Sequence, residues 1–145
     1  GPGPEDTGLG RVCDLDEPMT LAGFTHLVGE RLPATTWGVR AAGDPEAEVR
    51  RVALCGGSGD SLLGAARAVG ADVYLTGDLR HHVVDEHLRE GGPMLVDAAH
   101  WALEFPWCDQ VACLLEERAG VRATVCAART DPWTVAAGGD GRQRR

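Results

Sequence analysis

Three times along this chain a short apolar run stops abruptly in a turn of small or polar residues. Val49–Leu54 runs into Gly56-Gly57-Ser58-Gly59, Asp72–Leu75 into Thr76-Gly77-Asp78, and Met94–Val96 into Asp97-Ala98-Ala99-His100. Such runs read as buried strands, and the stretches between them, Ser61–Val69 and His82–Arg89, carry a helical pattern. Strands alternating with helices predict a mostly parallel sheet with right-handed crossovers and flanking helices, an α/β domain. In that architecture ligands gather at the carboxyl ends of the strands. The three turns are therefore expected to converge, with Cys55, Thr76 to Asp78 and His100 around one pocket.

The rest of the chain adds elements around this unit. Arg11–Leu15 reads as a short strand. A helix follows with Thr20 as its N-cap, apolar residues at Leu21, Phe24, Leu27, Val28 and Leu32, and Pro33 as its end. Trp37–Ala41 alternates as a strand before the turn Gly43-Asp44-Pro45. After His100 a long helix is expected through Glu117, interrupted near Pro106, then a last strand over Val121–Ala127. The predicted organisation is a flexible lead-in over residues 1–10, one α/β domain over 11–133, and a flexible tail over 134–145. The opening Gly1-Pro2-Gly3-Pro4, without an initiator Met, is expected of a piece of a longer protein.

Charge and cysteine usage narrow the function. A net charge of -8 offers no positive face for nucleic acid, and the basic cluster Arg142, Arg144 and Arg145 lies in the tail. No apolar run approaches membrane-spanning length. The five cysteines, Cys13, Cys55, Cys108, Cys113 and Cys126, are odd in number and form no C-x-x-C pair. They are expected to be free thiols, mostly small buried side chains, in a reducing cytoplasm.

The chemistry concentrates in two segments. His100 and Glu104 lie four residues apart on the helix that opens after Val96. At about 1.5 Å rise per residue they sit one turn apart on one face. Imidazole and carboxylate are both good ligands for zinc or iron, and an ordinary helix-surface pair is the alternative. Asp78 and His82 would share a face if a helix began at Asp78, though Asp78 reads first as that helix's N-cap. His81 is read as a surface residue, as are His26 and His87. The glycine run Gly56 to Gly59 is either an anion cradle at a helix N-terminus or a structural turn. It matches neither a Walker A loop nor G-x-G-x-x-G.

Taken in order, Cys55-Gly56-Gly57-Ser58-Gly59, Ala71–His82 with its Thr76-Gly77-Asp78-x-x-x-His82, and Asp97-Ala98-Ala99-His100 with Glu104 resemble the C-terminal half of the Ngg-one-interacting-factor-three-like family. The family includes the bacterial YbgI proteins, and its members are often called GTP cyclohydrolase I type 2 homologues. Arg11, in Gly8-Leu9-Gly10-Arg11, resembles the glycine-arginine strand at the middle of the full-length family protein. The resemblance implies a dinuclear metal centre, with zinc or iron as two ions per site, in a ring-shaped homohexamer. Its ligands would be a histidine pair and an aspartate from the N-terminal half, joined by His100 and Glu104 from this portion. Asp78 and His82 would then orient water or accept a proton in a metal-dependent hydrolase acting on a small molecule or nucleotide. Ala99 stands where the family usually has glycine, and Leu103 where it often has threonine. A non-catalytic metal-binding oligomeric scaffold is the rival reading, and a metal-free nucleotide-binding module using the glycine run is a third. No guanine-reading motif is visible, and neither nucleic acid nor membrane is an expected partner.

Overall fold

A computed structural model describes residues 8–137. The chain forms β1 (Arg11–Thr20), α1 (Leu21–Arg31), β2 (Val39–Ala42) and β3 (Glu48–Ser58), then one turn of 3-10 helix at Asp60–Leu62. It continues as α2 (Leu63–Ala68), β4 (Val73–Gly77), α3 (His81–Arg89), β5 (Met94–Ala98) and α4 (His100–Ala119). The five strands make one sheet in the order β1-β3-β4-β5-β2. The predicted parallel unit is its centre, since β3 pairs parallel with β4 and β4 with β5. Both edges are antiparallel, β1 on β3 and β2 on β5, so the α/β sheet is mixed.

Alternation along the central strands builds two cores. Val52, Val73 and Val96 face α1, where they meet Leu21, Phe24 and Val28. The residues next to them, Ala53, Tyr74 and Leu95, face the other way and pack with Leu63, Ala66 and Leu79. Both crossover helices, α2 and α3, lie on that second side. Each fully buried aliphatic side chain contributes about 1.5–3 kcal/mol, so these two layers fix where the strands end. Thr20 caps α1 as expected, its hydroxyl accepting from the Gly23 N–H at 3.1 Å. Helix α4 packs its first turns against the ends of β3 and β4, with small Ala98, Ala99 and Ala102 all buried to allow the approach.

Several expectations are corrected. The glycine run is not a loop opening a helix: β3 continues through Gly56, Gly57 and Ser58, and Ser58 pairs with Gly77 of β4. Only a 3-10 turn and a six-residue α2 follow, which leaves no helix N-terminus for an anion. Val121–Ala127 is not a strand, and residues 120–137 carry no regular structure; Ala123 N–H instead donates to the Glu116 carboxylate. Helix α4 runs through Pro106 without a break. The five cysteines are unpaired, yet Cys13, Cys113 and Cys126 are exposed and Cys55 and Cys108 only half-buried. Phe105 packs on Trp101 at 4.9 Å between ring centroids, while Trp107 is exposed. Residues 1–7 of the expected lead-in, and 138–145 of the tail with its three arginines, lie outside the described residues. No helix is long and apolar enough to cross a membrane among the described residues.

Candidate metal centre

The site is assembled where β3, β4 and β5 end. From Leu54 to Ser58 β3 uses four residue steps where β4 uses two between Leu75 and Gly77. The extra backbone bulges at Cys55–Gly57, and Gly57 adopts φ +69°. Only glycine enters that region freely. The bulge is pinned from β4, whose Thr76 hydroxyl donates to Gly57 O at 3.2 Å and whose Tyr74 hydroxyl donates to Gly59 O at 2.9 Å. A Cβ on Gly57 would lie 2.6 Å from Glu104 Oε1 and 3.2 Å from His100 Nε2. The missing side chain is therefore the space in which the histidine and glutamate stand.

At the end of β4 the chain turns sharply. Asp78 has φ +58° and is the one non-glycine residue with positive φ among the described residues. Its conformation stops the strand and breaks any helical continuity with His82: α3 begins at His81 with Arg80 in the capping position. The expected shared face of Asp78 and His82, and the N-cap role of Asp78, are both corrected by this kink. What Asp78 does instead is reach α4, where Oδ2 lies 2.7 Å from His100 Nδ1. Asp97, at the end of β5, braces the turn. Its carboxylate takes the Arg40 guanidinium N–H at 2.7 Å and the Leu79 N–H at 3.5 Å. Burial pushes the Asp97 carboxyl up from its ordinary value, against the downward pull of Arg40.

His100 is thus held at both nitrogens. Nδ1 faces Asp78, and Nε2 lies 3.1 Å from Glu104 Oε1, the partner expected one turn along α4. All three side chains are about half-exposed. The hydrogen bond to Asp78 raises the His100 pKa above the usual imidazole value, burial opposes it, and the Glu104 charge adds to the rise. Above that raised value the imidazole is neutral. A proton kept on Nδ1 by Asp78 leaves the Nε2 lone pair beside Glu104, the tautomer a metal takes. His100 and Glu104 therefore converge as two donors, and Asp78 orients one of them. Among the described residues no group of three His, Cys, Asp or Glu side chains could hold an ion; Asp78 contacts the far nitrogen.

The pair opens onto a cleft of about 420 Å³ lined by Asp78, His100, Trp101, Glu104 and the segment Thr130–Trp133. Thr76 is buried behind it, and Cys55 packs toward the α2 side, outside the lining. His82 is exposed on α3 and does not line the cleft; His26 and His81 are exposed as expected. His87, read as a surface residue, is buried, with Nε2 3.0 Å from Pro93 O. The Thr130–Trp133 wall was missed because nothing local marks it. Trp133 is tied to Thr36 and Trp37, nearly a hundred residues away.

The model of the Duf34/NIF3 (NGG1p interacting factor 3) family matches residues 3–132. The chain belongs to this family. It is 51% identical over 138 residues to a Mycobacterium leprae protein named GTP cyclohydrolase 1 type 2 homolog, covering 94% of this chain and 36% of that protein. A Streptomyces coelicolor protein of the same name is 51% identical over 143 residues, with 92% of this chain and 50% of that protein covered. Among solved structures, a Bacillus cereus protein related to NIF3 superposes with a TM-score of 0.79 at 31% identity, covering 89% of this chain and 36% of that one. This chain therefore spans half or less of the length of these family members.

Proposed function

We propose that this chain contributes His100 and Glu104 to a divalent-metal centre whose remaining ligands lie elsewhere in a longer family protein, and that the complete centre is hydrolytic. The observation that carries the reading is the pair itself: Nε2 and Oε1 are 3.1 Å apart over a glycine, with the opposite ring nitrogen held by Asp78. One imidazole and one carboxylate suit zinc or iron, and two donors from this portion need further ligands for a tight site. The reading has two ions per site, in a ring-shaped homohexamer. A reducing cytoplasm is part of it, in keeping with five unpaired cysteines.

Bound divalent metal supplies water activated at neutral pH and a counter-charge for developing oxyanions. This chain's residues do the rest. His100 Nε2 and Glu104 would be the donors that hold the ion, and Asp78 keeps the Nδ1 proton in place. The proton-handling role falls to Asp78 rather than His82, which stands outside the cleft lining. The name shared by the relatives makes GTP the first substrate to try, with hydrolytic opening of the guanine ring as the reaction. Purified full-length protein should consume GTP, read as loss of purine absorbance. Activity should vanish on chelation and return with zinc or iron. A fully metallated protein with no turnover would overturn the hydrolase and leave the metal-binding scaffold.

A further inference from the structure

Resting on the reading that the centre is completed elsewhere in a longer protein, we infer that residues 121–127 are an open strand edge. It pairs with a β-strand from the remainder of that protein and so holds the remainder beside the cleft. Over 120–137 the backbone has neither turn nor bend. It is held at both ends: Gly120 N–H donates to Glu116 O at 3.1 Å, and the Thr36 hydroxyl donates to Trp133 O at 2.6 Å. Between those anchors it runs without a ladder. Among the described residues, no backbone–backbone hydrogen bond involves residues 121–137. Ala123 N–H donates instead to Glu116 Oε1 at 3.2 Å. In an extended chain successive residues aim their N–H and C=O groups at opposite edges. With Ala123 turned toward α4, Arg122, Thr124 and Cys126 present theirs on the outer edge, and all three residues are exposed. Such a row of unpaired backbone groups is a template for another strand.

Residue choice separates this edge from the sheet's own. β1 is an edge strand, and it carries Pro18, the acids Asp14, Asp16 and Glu17, and a register break between Asp14 and Met19. β2, the other edge, is only four residues long. Those devices keep a free edge from pairing. Residues 121–127 have no proline and no acid; Val121, Thr124 and Val125 favour a strand, and Arg122 is the one charge. Length and position set the occupant. This chain spans 36% of one relative and 50% of another, so at least half of each lies outside it. Beyond Ala127 the same backbone becomes the Thr130–Trp133 wall of the cleft, which begins about 10 Å on at strand rise. A strand paired at 121–127 therefore brings the remainder within reach of His100 and Glu104, whose ion needs further donors.

Amide hydrogen exchange in the full-length protein, read residue by residue, tests the pairing. The Arg122, Thr124 and Cys126 amides should exchange on the order of a hundredfold slower than in a peptide of the same sequence, at every protein concentration. Thr124→Pro removes the middle donor and should release Arg122 and Cys126. Thr124→Val keeps that donor and suits a strand, so the same amides should stay protected. Exchange at the peptide rate overturns the inference, as does protection that Thr124→Pro leaves unchanged. Protection that fades on dilution assigns the edge to a second copy of the chain and also overturns it. Metal content scores the metal reading separately. A protected edge in a protein that holds no metal removes the centre and keeps the pairing; a fully metallated protein with a fast-exchanging edge removes the pairing alone.

Discussion

On the α1 side of the sheet, Val52, Val73 and Val96 meet Leu21, Phe24 and Val28 with almost nothing left in contact with water. A few residues further along β4 and β5, Asp78, His100 and Glu104 stand about half in solvent, placed by the Asp78–His100 hydrogen bond, the close approach of Glu104 to His100 and a glycine. The first region is held by apolar area and tolerates approximate shape. The second has little area to hold it and depends on backbone geometry: a bulge at Gly57, a left-handed Asp78 and the entry angle of α4. Stability and site chemistry should therefore be separable by mutation.

The sharpest break is a pair of substitutions in the full-length protein. Leu21→Ala, at a side chain 1% exposed, should cost about 2–5 kcal/mol in urea unfolding and leave metal content unchanged. Gly57→Ala should reverse the balance, costing less stability and far more metal affinity. Its positive φ costs about 1–2 kcal/mol, and its Cβ displaces Glu104. Metal affinity, measured by competition with a chelator, should fall roughly 10- to 100-fold. Equal effects of the two changes on metal would erase the distinction between core and cleft.

What could be read from the sequence follows the same division. Local signals placed the three central strands, Thr20 as a cap and the one-turn spacing of His100 and Glu104, because each depends on neighbours in sequence. The partner of His100 was not legible. Asp78 reaches it only because positive φ turns the chain after β4, which spacing alone hides. The glycines of β3 looked like a loop since their pairing with Gly77 is set by β4. Val121–Ala127 has strand-forming residues but no sheet edge takes it, and strand propensity expresses itself only when a partner does. His87 seemed solvated beside Glu86 and Arg89, yet Pro93 O turns it inward.

A smaller effect sharpens the comparison from the α2 side, where a polar group sits inside the packed layer. Tyr74, the sole tyrosine, is buried, and burial pushes its pKa from 10.0 up to about 12. Its folded value is raised above its unfolded one. The contribution of protonated Tyr74 is therefore complete below pH 10.0 and lost as pH climbs from there to about 12. Phenolate absorbance should titrate near 12 in the native chain and near 10.0 in urea. A native midpoint equal to the unfolded one would mean the hydroxyl is hydrated.

Elemental analysis of two full-length variants tests the central claim most directly. His100→Ala removes the donor that Asp78 orients toward Glu104, whereas His26→Ala removes an exposed imidazole on α1. His87→Ala is a poor control because that ring is buried against Pro93. The account predicts loss of at least one metal per subunit in His100→Ala and full content in His26→Ala. Equal, full metal content in both would contradict it and leave the family relationship a statement about fold alone.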